Sequence, residues 1–169
     1  MNRLILATNI ILGSILIYSY YYLASKNEGA VEKLWGNIKG NVRNLYKISI
    51  LLAGIGYIYM LYFLVFKVKN NRELLNKILI FQVILIVISM LWMPITINYI
   101  QNKNAYLKSL IILIVFIVGI AALGNAINIY KLDIPSKNRN GKILALTGAG
   151  YLFFQTFVMD FLSWTYNFF

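Results

Sequence analysis

Of the five acidic residues in this chain, only Asp160 falls inside a long apolar stretch. Ala145, Ala149, Thr156, Asp160, Ser163 and Asn167 recur at helical spacing, which puts them on one helix face with Gln155 beside it. An acid within a membrane span is a functional candidate, because an unpaired charge is costly there. Three roles fit the pattern: pairing with a basic residue near the membrane surface, contact with a ligand, or handling of a proton or ion. Lys47 and Lys108 stand at the correct ends of neighbouring stretches to supply the pairing.

A second polar stripe, Gln82, Ser89, Met93 and Thr96, runs along the third stretch, where Pro94 withdraws one backbone donor. Asn125 and Asn128 share a face of the fourth, but threading puts them at the opposite depth from Asp160. Trp92, Trp164, the tyrosines of the first stretch and the segment before the second all fall on the side of Asp160. A pocket is expected there. Its candidate ligand contacts are Asp160, Gln155, Thr156, Trp92 and Thr96.

The rest of the chemistry is defined by exclusion. The 169 residues contain no histidine and no cysteine. That removes disulfides, thiol nucleophiles, the usual neutral-pH proton carrier and the commonest metal ligands. One carboxylate among Ser, Thr and Tyr gives no nucleophile–base pair. The expectation is a protein without catalytic residues, metal or cofactor, which is not an enzyme.

The elements that must position these residues are five apolar stretches, at about 4–24, 48–66, 78–100, 109–130 and 143–168. Each approximates the roughly 20 helical residues that cross a bilayer. Spans in lipid must satisfy their own backbone groups, and none of these alternates with period two, so the expected fold is all-α: a polytopic bundle of five transmembrane helices in one domain. Between the first two spans, Val31, Trp35, Ile38, Val42 and Leu45 recur every three or four residues against a basic face. That predicts an amphipathic helix over 29–46, lying in the headgroup plane and anchored by Trp35, Lys39 and Arg43. Gly36 and Gly40 weaken it by about 1 kcal/mol each relative to Ala.

The net charge of +11 sits at the helix ends, which assigns it to lipid headgroups and not to nucleic acid. Nine of the 16 lysines and arginines fall on the N-terminal side, a slight bias toward a cytoplasm-like N-terminus. Lysine outnumbers arginine twelve to four, which with abundant Ile, Asn and Tyr suggests an AT-rich genome.

Five spans, a long first connection and Leu91-Trp92-x-Pro94 near the end of the third helix resemble the TspO/translocator family. The resemblance implies binding of porphyrin- or sterol-like ligands beneath the first loop, with Trp92 and Pro94 lining the pocket, which adds Pro94 to the candidate contacts. The sequence departs from that family in lacking proline in the first connection. Without a catalytic constellation, the leading expectation is a structural or accessory subunit of a membrane assembly in an organelle or viral membrane. Its partners would be the bilayer and other subunits or copies of itself. The alternatives are a binder or carrier of a lipophilic small molecule and, behind it, an ion or proton channel.

Overall fold

The computed structural model describes residues 1–69 and 71–169 and is helical almost throughout. Its helices are α1 (Asn2–Lys26), α2 (Glu28–Lys33), α3 (Gly40–Phe66), α4 (Arg72–Asn102) and α5 (Ala105–Tyr130). A short 3₁₀ turn then leads into the last span, which comprises α6 (Arg139–Phe153), a π-helix over Phe154–Trp164, and α7 (Thr165–Phe168). Among the described residues, five helical spans are long and apolar enough to cross a membrane.

The helix ends follow from local chemistry. Lys103 takes φ 47° at the end of α4, and the Asn104 side chain caps α5 by accepting from the Tyr106 N–H at 2.8 Å. Pro94 lies inside α4, which runs on to Asn102.

The connector departs from the expected single helix over 29–46. Gly36 and Gly40 adopt φ of 54° and 55°, conformations that glycine reaches without penalty and through which a right-handed helix cannot run, and Gly40 opens α3. The segment therefore divides into the short α2, a turn, and the first two turns of a lengthened α3. The break also lets the backbone of Gly36 settle onto the last span. A Cβ there would lie 2.7 Å from both Asn167 O and Phe168 Cα.

The five spans close a ring in the order α1, α4, α5, α6, α3. The α3–α6 seam is a backbone contact: a Cβ at Gly56 would stand 2.8 Å from Gly148 Cα, so glycine is required for this approach. Toward the N-terminal end of the chain the ring is filled. Met60, Phe63, Leu64, Ile78, Ile129 and Ala145 form a closed core there. Next to it, Asn9 donates to Gln82 Oε1 at 2.8 Å and accepts from the Tyr57 hydroxyl, tying α1, α3 and α4 together. At the other end the ring does not fill its centre.

Candidate functional site

That end holds a cavity of about 430 Å³. Its floor and walls come from every span, and its roof is the connector through Val31, Leu34 and Trp35. Trp35, Trp92 and Trp164 all line it, and these are the three tryptophans of the chain. Trp92 and Trp164 meet edge to face at 5.4 Å, and Tyr20 packs against Trp92 at 6.0 Å. Such aromatic pairs add directional packing to the burial of their area.

Asp160 opens into this cavity, and its partner is Gln155, whose Nε2 donates to Oδ1 at 2.9 Å. The π-helix makes the pair. In an α-helix, residues five apart are about 140° apart around the axis and face different ways. The wider π turn closes backbone bonds at i→i+5, so positions 155 and 160 fall on one face. The expected pairing with Lys47 or Lys108 does not form. Among the described residues the ion pairs are Arg43–Glu32 and Lys77–Glu73. Lys47 is exposed, and the Lys108 ammonium lies 4.7 Å above the Phe169 ring. Because Asp160 turns inward, neither lysine reaches it.

The polar atoms of the wall form an unbalanced set. All four hydroxyls give their hydrogens to backbone carbonyls: Tyr20 to Ser89, Tyr46 to Met159, Ser89 to Leu85 and Thr156 to Leu152. The Trp164 indole donates to Leu34 O at 2.7 Å. Gln155 is only 4% exposed, and its Oε1 is buried with no donor. No lysine or arginine lines the cavity among the described residues.

The roof is fastened at both ends. The Trp164–Leu34 bond and the Asn37 N–H, which donates to Asn167 O at 2.9 Å, hold it to the last span. Arg43 grips Glu32 with both guanidinium Nη atoms, Nη2 at 2.8 Å, and stacks 4.6 Å above Trp35. The guanidinium holds the Glu32 carboxyl below its ordinary range by donating to it and by its charge.

Of the six ligand contacts expected from the sequence, Asp160, Gln155, Thr156 and Trp92 line the cavity, and Pro94 and Thr96 do not. Pro94 lies two residues beyond Trp92, about 200° round the helix and away from the opening. Thr96 is fully buried one turn further on and donates to Trp92 O at 2.6 Å. The expected headgroup anchors also divide: Trp35 turns into the cavity wall, Arg43 clasps the roof, and Lys39 is exposed. Tyr20, Tyr46 and Trp164 join the site as wall residues that sequence spacing did not single out. Their signal was their concentration on the depth of Asp160.

No family model matches the chain, and no curated protein and no solved structure matches it.

Proposed function

We propose that this is an integral membrane protein that binds a lipophilic small molecule beneath the connector between its first two spans. One observation carries this reading: a bundle closed at one end keeps a cavity of about 430 Å³ at the other. That size lies within the roughly 300–1,000 Å³ range of small-molecule sites. The wall has their usual composition too, aromatic and aliphatic with a few convergent polar groups. The protein acts by binding and not by catalysis. The resemblance to the TspO/translocator family would imply a ligand beneath the first connection with Trp92 and Pro94 on its wall; here Trp92 lines the cavity and Pro94 does not.

The test is native mass spectrometry of the protein extracted gently from its own membrane, beside an Ala53→Phe variant that fills the cavity. One small lipophilic molecule per chain in the wild type, lost in the variant, is the expected result. Wild-type chains that never retain such a molecule would overturn the reading.

The alternative, a structural or accessory subunit, draws on α1. Only 11% of its apolar window is buried, which leaves most of the helix to lipid or to another chain. The same spectra address it, since a second subunit at fixed stoichiometry would favour this role.

A further inference from the structure

Resting on that binding reading, we infer that the ligand is a lipophilic amine, whose ammonium lies against Asp160 and Gln155 and whose apolar body lies among the tryptophans. The wall offers acceptors in excess. Asp160 brings a carboxyl with no cation from the protein, and Gln155 Oε1 is buried with no donor. The four wall hydroxyls give their hydrogens to backbone carbonyls, so none is left to donate to a ligand.

A carbonyl- or carboxylate-bearing ligand would add acceptors to a site already short of donors. An ammonium supplies what is missing at Asp160: an N–H donor and the positive charge that a buried carboxylate otherwise lacks. An amine that arrives neutral takes the proton of Asp160, and one that arrives protonated meets the carboxylate. Both routes end in the same ion pair. Trp92 and Trp164 border the same cavity, and aromatic rings of this kind attract cations. Arg43, the basic group that clasps the roof, is outside the cavity lining and already engaged with Glu32.

The three tryptophans make the test direct, since all of them border the site. Full-length protein in phosphatidylcholine nanodiscs is titrated with para-(dimethylaminomethyl)biphenyl and with its carbon isostere, para-isobutylbiphenyl, following tryptophan fluorescence. The amine is expected to bind about ten- to hundredfold more tightly, as the one charge-assisted hydrogen bond that its single N–H can make implies. Asp160→Asn should remove that preference while leaving isostere binding within about twofold, which also reports an intact fold. Asp160→Glu should restore part of it.

Failure of both probes to bind would overturn the binding reading itself. Equal binding of the two by the wild type would overturn the amine assignment alone, and this comparison stands even if the Asn variant does not fold. An amine preference that survives in Asp160→Asn would remove Asp160 from the assignment. Sphingosine added to the bilayer separates two sources of the amine: displacement of the probe points to a membrane lipid, and persistence of the probe to a soluble amphiphile.

Discussion

Gln155 and Asp160 are five residues apart in the last span, yet the amide of one donates to the carboxyl of the other at 2.9 Å. The π-helical turn that joins them also carries Thr156 and Trp164 into the same cavity wall. π-Helical turns are uncommon and concentrate at functional sites. Here the turn builds the polar end of the pocket.

Gln155→Leu should therefore destabilise the protein by about 1–3 kcal/mol, the cost of leaving a buried polar partner unsatisfied. Asp160→Leu should cost a similar amount, because its partner is an amide and not a cation. The double variant should lose less than the sum of the two, since they share one bond. Thermal unfolding of the four proteins in detergent measures this, and strict additivity would show the bond to be immaterial.

Gly36→Ala should loosen the roof. The added Cβ meets backbone atoms of Asn167 and Phe168 at 2.7 Å, and φ of 54° costs a non-glycine residue about 1–2 kcal/mol. Hydrogen exchange should speed up over residues 28–39 and leave the filled end of the bundle unchanged. Unchanged exchange in the connector would count against the latch.

Gly148→Val tests the α3–α6 seam. A Cβ at Gly148 is driven into the backbone of Gly56, which cannot swing aside as a side chain would. Overpacking of this kind costs about 1–3 kcal/mol. The melting temperature should fall well below that of Gly150→Val, where a Cβ meets nothing within 4 Å.

Acid should release the Glu32–Arg43 clasp. Arg43 lowers the Glu32 carboxyl below its unfolded value, so the pair stabilises the roof above that value. The contribution is lost as pH falls through the lowered, folded one. Iodide quenching of Trp35, in a variant with Trp92 and Trp164 replaced by Phe, should rise over this acid range. Glu32→Gln should abolish the pH dependence.

The spans were readable because bilayer thickness and backbone satisfaction leave a long apolar stretch few alternatives. That Asp160 and Trp92 border one cavity was readable from their shared depth. The connector was misread at Gly36, and the reason is not local. Periodicity counted glycine as a weak helix former, whereas the break lets the chain meet the backbone of Asn167, a contact that sequence spacing does not record. The partner of Asp160 was hidden for a related reason. A helical wheel drawn at 3.6 residues per turn places Gln155 off to the side, and only the π turn brings it underneath. Pro94 and Thr96 belonged to the correct helix but not to the part of it that borders the opening.

The closed order of the ring has a consequence for how each molecule comes into being. The span that completes the circle, between α5 and α3, is synthesised after the other four, and it carries Asp160, Trp164 and the roof's backbone anchor at Asn167. Until it is inserted, Tyr20 and Trp92 border an unsealed cleft and the connector has nothing to rest on. The cavity thus closes in one step, and a nascent chain that stalls before this span's final turns has most of the bundle with an open cleft in place of the cavity.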